Sequence, residues 1–384
     1  MRTSEVVGRL GDGDVAVKVT WDGAVVTAIS PVDTDQGTLP ILAPGLVDLQ
    51  VNGYAGLDVN AESIYAETVI ELSNVLAAHG ITTWLPTVIT APEPRITAAL
   101  RAIADARAAD PVVANAVPSV HVEGPFISDR QGPRGVHDPA FVRPLDSDEV
   151  LRWRAAGPVG MVTVSPHGDQ APEHIRRLVD MGISVAIGHT HAEPDEVSAA
   201  ADAGATLSTH LGNGIATTVP RHPNIIWRQL ADDRLSAGLI ADGHHLPFDT
   251  LEVMLRAKTL DRAFLVSDST EIGGRAPGRY RTAVGALVEL GADQRLAEVG
   301  SDLLAGAAAT LLDGVRNVAT RTTYPLADAL SLATRNPARL APGTRSGVGE
   351  IRVGGPADLI VLDAELGLRG VVQSGRWVSS AAVR

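Results

Sequence analysis

The stretch Ile183-Ser184-Val185-Ala186-Ile187-Gly188-His189-Thr190 decides how this chain folds: a short apolar, β-branched run closes on glycine and then delivers a histidine. A run of that length and composition reads as a strand buried on both faces of a parallel sheet. A functional side chain at the end of such a strand is how a barrel enzyme builds its site. The pattern recurs along the chain. Thr206-Leu207-Ser208-Thr209-His210 ends on a second histidine, Val120-His121-Val122-Glu123 on a glutamate, and Ala263-Phe264-Leu265-Val266-Ser267-Asp268 on an aspartate.

Working outward from these four, eight strand candidates appear: Gly45 to Val51, Ile81 to Ile89, Val117 to Glu123, Gly160 to Ser165, Ile183 to His189, Thr206 to His210, Leu235 to Asp242 and Ala263 to Asp268. Helical stretches such as Tyr65 to His79, Pro172 to Met181, Pro194 to Ala203 and Pro247 to Lys258 alternate with them, three opening on a proline that the first helical turn tolerates. Strands alternating with helices in this way predict an α/β TIM (β/α)8 barrel. The two ends read differently. Gly23-Ala24-Val25-Val26-Thr27-Ala28-Ile29 and Ala357-Asp358-Leu359-Ile360-Val361-Leu362-Asp363 are strand-and-turn material with too few apolar faces to fold alone. The expected division is a small β-sandwich domain from residues 1–44 plus 346–384 and a catalytic barrel from residues 45–345.

Composition narrows the function. The chain has 384 residues, is 45% hydrophobic and carries a net charge of -13, which disfavours a nucleic-acid partner. Its apolar stretches are strand-sized and the opening Met1-Arg2-Thr3-Ser4-Glu5 resembles no signal peptide, so a cytoplasmic protein with no membrane partner is expected. There are no cysteines, so a metal would be held by imidazole and carboxylate. The lysines are Lys18 and Lys258, neither at a strand end, which removes the carbamylated lysine that bridges two metals in some barrel hydrolases.

In a barrel the strand ends converge, so Glu123, His189 and His210 become neighbours. Two imidazoles and one carboxylate with an open position are the ligand set of a catalytic zinc site. Asp268 lies where a general base would stand. The first strand offers Gln50 and Asn52 in place of a His-x-His pair, and neutral amides bind zinc poorly, so one divalent ion per subunit is expected, Zn2+ first, with Fe2+, Co2+ and Mn2+ compatible with the same donors. His79, His167, His174 and His222 fall on helices or loops and read as structural.

These residues resemble the amidohydrolase superfamily and, within it, the N-acetylglucosamine-6-phosphate deacetylases. The likeness runs from Ala43-Pro44-Gly45-Leu46-Val47-Asp48 to Gly354-Gly355-Pro356-Ala357-Asp358-Leu359. It includes Asn52-Gly53-Tyr54-Ala55-Gly56, His121-Val122-Glu123-Gly124-Pro125-Phe126 and Ala241-Asp242-Gly243-His244-His245. It implies that Glu123, His189 and His210 bind the metal, that Asp268 is the catalytic acid and base, and that His137 hydrogen-bonds the substrate carbonyl region. It further implies a substrate site with Gly124, His245, the backbone of Asn213 and Gly214, and Arg221 as the phosphate-binding guanidinium. His244, beside His245, is an alternative for that role.

The implied reaction removes the acetyl group of N-acetylglucosamine-6-phosphate, giving glucosamine-6-phosphate and acetate, and the implied assembly is a homodimer acting on a small phosphorylated amino sugar. Two departures bear on the substrate. The family usually has an aromatic residue, then Asn-Ala-Met, after the His-Leu pair, where this chain has Gly212-Asn213-Gly214-Ile215, and Ser269-Thr270-Glu271 places a carboxylate after Asp268. A deacetylase of another N-acyl amino sugar or related amide is therefore the nearest alternative; a non-catalytic barrel scaffold is opposed by the intact ligand set. Gly273-Gly274-Arg275-Ala276-Pro277-Gly278 reads as a lid, a contact to a second subunit, or an ordinary loop.

Overall fold

The computed structural model describes residues 4–11, 15–33, 39–283 and 285–378. Its centre is an eight-stranded parallel sheet in sequential order: β1 (Leu46–Val51), β2 (Ile81–Ile89), β3 (Val120–Glu123), β4 (Val159–Val164), β5 (Ser184–Ile187), β6 (Leu207–Ser208), β7 (Ser236–Ile240) and β8 (Ala263–Val266). The sheet closes at its seam. Asp268 N–H donates to the Gln50 carbonyl at 3.0 Å, and Ser267 N–H donates to the buried Asp48 carboxylate at 3.2 Å. The barrel read from the sequence is present, strand for strand.

Side chains inside the barrel come from every strand except β3, with Leu49, Leu85, Met161, Leu207 and Phe264 among them. The strand β3 contributes His121 instead, fully enclosed between the Leu49 carbonyl (3.1 Å) and Thr163 Oγ1 (2.7 Å). Burial holds its imidazole below the usual range, so it is a neutral, satisfied structural group. The outward faces of the strands pack against the helices through Leu72, Leu76, Ile96, Leu100 and Ile103. Among the described residues no helix is long and apolar enough to cross a membrane.

Both ends of the chain join one separate, mainly antiparallel seven-stranded sheet, ordered Arg376–Trp377, Leu368–Gln373, Leu359–Leu362, Ile41–Pro44, Ser4–Leu10, Ala16–Asp22, Val25–Pro31. It rolls over on itself: Val25 bridges Pro356, and Trp21 Nε1 donates to the Gly375 carbonyl at 2.8 Å. The enclosed core is Val19, Trp21, Val26, Leu42, Leu359 and Val372. Neither terminus alone supplies both faces of that core, which is why the two must meet.

One element was not expected. The glycine-rich run after Asp268 leads into a three-stranded antiparallel sheet, Gly278–Arg281, Leu287–Leu290 and Leu296–Glu298, before the last barrel helix starts at Leu311. Its strands are three or four residues long, too short for alternation to stand out from loop composition.

Candidate active site

His189, His210 and Asp268 lie just beyond the last paired residues of β5, β6 and β8, and each has a positive φ (46°, 27° and 52°). That left-handed step is costly for residues with a Cβ and occurs where surrounding structure enforces it, often at functional sites. Here it turns the three side chains out of the strand direction and toward Glu123, the last residue of β3.

Glu123 Oε1 lies 3.4 Å from His189 Nε2 and 3.2 Å from His210 Nε2, and the two Nε2 atoms are 3.1 Å apart. Four-coordinate zinc with bonds of about 2.0–2.1 Å has ligand atoms about 3.3 Å apart, so the spacing suits a small divalent ion. His189 Nδ1 is 2.8 Å from the Pro133 carbonyl, which can only accept; Nδ1 therefore carries the proton and Nε2 keeps a lone pair for a metal. Burial pushes the Glu123 carboxyl up, but the hydrogen bonds and charges of His189 and His210 outweigh it and hold it well below the usual range. Among the described residues this is the one group of three acidic or imidazole side chains close enough to hold an ion.

Asp268 is held from β1. Asn52 Nδ2 donates to its Oδ1 at 3.0 Å and Gln50 Nε2 at 3.1 Å, and the same Gln50 nitrogen is 3.0 Å from Glu123 Oε1. Burial, and then the charge of Glu123, raise the Asp268 carboxyl above the ordinary aspartate range, which brings it toward the affinity a proton shuttle needs. The sequence flagged Gln50 and Asn52 only as failed ligands. Their spacing of two along a strand puts both on the site's face, and that was the available signal.

His137 is buried, with Nδ1 2.8 Å from Thr90 Oγ1 and its ring 4.4 Å from that of His189. Burial, followed by the neighbouring His189, holds it down at about 3, so it is a neutral imidazole. A hydroxyl can donate or accept; in the tautomer where Thr90 donates to Nδ1, the proton sits on Nε2 and can form a hydrogen bond to an acyl oxygen.

These groups line a cavity of about 420 Å3 that also contains His245, Asn213, Gly214, Asp58 and Glu271. His245 Nδ1 is 2.7 Å from Asp242 Oδ2, whereas His244 Nε2 faces the Asp293 carbonyl at 2.9 Å and does not line the cavity. The Asn213 N–H donates to the His210 carbonyl at 2.9 Å. Gly214 has φ +58°, and a Cβ there would lie 3.0 Å from His189 Nδ1, so only glycine fits beside this ligand. Gly212, at φ +96°, would direct a Cβ at the ends of the Leu246 and Met254 side chains, so a larger residue on this loop path is strained and those side chains must give way.

Two sequence candidates lie outside the cavity wall. Gly124 is packed against Thr90 beneath it, and Arg221 is exposed on the loop after β6. Among the described residues no lysine or arginine lines the cavity. Asp58 and Glu271, both buried, face each other, and burial together with the Glu271 charge raises Asp58 well above the usual range. The wall opposite β6 comes from the unexpected insertion, through Thr282, Ala286 and Asp302 to Gly306.

The profile of the Amidohydrolase family matches residues 41–380. The chain belongs to the amidohydrolase family. It is 30% identical to the N-acetylgalactosamine-6-phosphate deacetylase of Escherichia coli O157:H7, over 92% of this chain and 93% of that one. It is 33% identical to the N-acetylglucosamine-6-phosphate deacetylase of Bos taurus, over 88% and 83%. The crystal structure of the N-acetyl-D-glucosamine-6-phosphate deacetylase of Mycobacterium smegmatis superposes with a TM-score of 0.87 at 27% identity, covering 99% of this chain and all of that one. Within the amidohydrolases, this chain is a member of the N-acetylglucosamine-6-phosphate deacetylase family.

Proposed function

We propose that this amidohydrolase removes the acetyl group from N-acetylglucosamine-6-phosphate, as a cytoplasmic homodimer holding one divalent ion, zinc by preference, in each chain. The observation that carries the reading is the placement of Asp268, one oxygen pinned by Asn52 and Gln50, beside Glu123, His189 and His210 at the floor of the 420 Å3 cavity.

A divalent ion on those three donors would act as a Lewis acid and make water a stronger nucleophile near neutral pH. Asp268 takes the proton of the attacking water and returns it to the departing amine. The neutral His137 donates a hydrogen bond from Nε2–H to the acyl oxygen as negative charge develops there, and keeps its proton. At the far end of the substrate, His245 and the Gly214 backbone face the cavity. The phosphate dianion still needs a cation, and the described residues of the cavity wall include none. Arg221 projects from the loop beside it, so we assign the missing guanidinium to Arg221 of a second copy, which is the reason to expect a dimer.

The test is acetate release from N-acetylglucosamine-6-phosphate and from unphosphorylated N-acetylglucosamine, with zinc-loaded protein and an Asp268→Asn control. Preference for the phosphorylated sugar, lost in the control, supports the reading; no release from either sinks it. A second reading, N-acetylgalactosamine-6-phosphate, is favoured by the E. coli relative and by that of Shewanella sp. (strain ANA-3), 33% identical, both named for that sugar. Running both epimers side by side separates them.

A further inference from the structure

Behind the main cavity lies a second one of about 70 Å3, and the two share Asn60, Ile89, Val136, His137 and Ala286 as their common wall. By the volume measure in which one water needs about 10–15 Å3, the annex has room for two or three methylene groups. Its lining is mainly apolar, with Val59, Val88, Ile89, Ile96, Ala99 and Phe141, and Asp138 stands at its exposed outer edge. Interiors are close-packed and large voids are few, so an apolar space against a catalytic histidine is a notable feature of this fold.

The polar side chains at its edge are already occupied. Thr90 is bonded to His137, the Asn60 amide to Thr87 and Ile89, and the Arg95 guanidinium to the carbonyls of Asn60 and Ala283. A hydroxylated group entering beside His137 would meet side chains whose hydrogen bonds are already made, while the Asp138 carboxylate, which accepts from Ala140 N–H at 2.9 Å, stands at the exposed outer edge. An alkyl group would lose nothing.

Resting on the reading of His137 as the donor to the acyl oxygen, we propose that the annex is an acyl-tail subsite, and that the enzyme also hydrolyses N-acyl amino-sugar phosphates whose acyl chain is propionyl or butyryl. The step is the same hydrolysis. The C–N amide bond breaks, the oxygen of water joins the acyl carbon, a short fatty acid leaves as its carboxylate, and the freed amine takes the proton carried by Asp268. Each added methylene that enters the annex should lower KM by up to about fourfold, the equivalent of about 0.8 kcal/mol for a buried CH2.

The test measures kcat/KM for the N-acetyl, N-propionyl, N-butyryl and N-glycolyl derivatives of glucosamine-6-phosphate, in the wild type and in Ala99→Leu, with Ala91→Val as a milder filling of the same space. Expected are propionyl and butyryl values no more than tenfold below acetyl, and glycolyl, the polar isostere of propionyl, at least tenfold below propionyl. The filled variants should keep acetyl turnover within about twofold, which also shows that they fold, and lose butyryl turnover by tenfold or more. Butyryl a hundredfold below acetyl in the wild type, glycolyl equal to propionyl, or an acyl profile unmoved by both substitutions overturns the subsite. If the acetyl compound itself is not turned over, the underlying deacetylase reading falls and the subsite with it; if acetyl is cleaved and butyryl is not, only the subsite falls.

Discussion

The Asn52 amide donates to Asp268 Oδ1 at 3.0 Å across the seam where β8 closes on β1. Among the described residues no donor reaches Oδ2, so this contact decides which oxygen is free to carry the proton. A hydrogen bond to a charged group contributes about 1.5–3 kcal/mol. Asn52→Ala should therefore lower kcat by about 10–100-fold with little change in KM. Steady-state kinetics decide it, and an effect confined to KM would make Asn52 a substrate contact instead.

Gly214 presses its backbone on His189, leaving no space for a Cβ. Gly214→Ala should weaken metal binding by about tenfold, the usual scale for disturbing the support of a ligand. Zinc titration against a competing chelator measures this, and unaltered affinity would show that the loop yields without moving His189.

Asp48 seals the barrel by accepting from the backbone of Gln50 and Ser267, and burial raises its carboxyl to about 7. A raised pKa means that the neutral form is favoured in the folded chain. Its contribution is full below about pH 4 and is lost as pH rises through about 7, a change of roughly 4 kcal/mol. Asp48→Asn cannot ionise, so its thermal midpoint should improve relative to wild type on going from pH 5 to pH 8. A constant difference between the two proteins over that range would contradict the assignment.

Arg221 is exposed, while among the described residues the cavity of its own chain has no lysine or arginine in its wall. Arg221→Ala should raise KM for the phosphorylated sugar by about 10–100-fold and leave the unphosphorylated sugar unaffected. Light scattering at assay concentration should report a dimer. A monomer with full phosphate preference would rule out donation from a second copy.

Strand positions were legible because the barrel strands are short, rich in apolar residues and buried on both faces, and end in glycine, proline or a polar turn, a signal that survives without an alignment. The meeting of Glu123, His189 and His210 was legible for the same reason, since a strand end in a barrel has one destination. The insertion after β8 was not, because three- and four-residue strands lack a readable period. Nor was the work of Gln50 and Asn52: the sequence reveals what an amide cannot ligate, but not which carboxylate it will meet.

The sequence alone therefore determined the barrel, the pairing of the two termini, and the convergence of Glu123, His189, His210 and Asp268, because those follow from hydrophobic periodicity and residue type. Only the tertiary structure decided that one oxygen of Asp268 is pinned from β1, that His245 rather than His244 faces the cavity, that Asp58 and Glu271 meet, and that an apolar annex lies behind His137. Each of these depends on distances between segments far apart in the chain, set by closure of the sheet and by loop packing, which local preference does not encode.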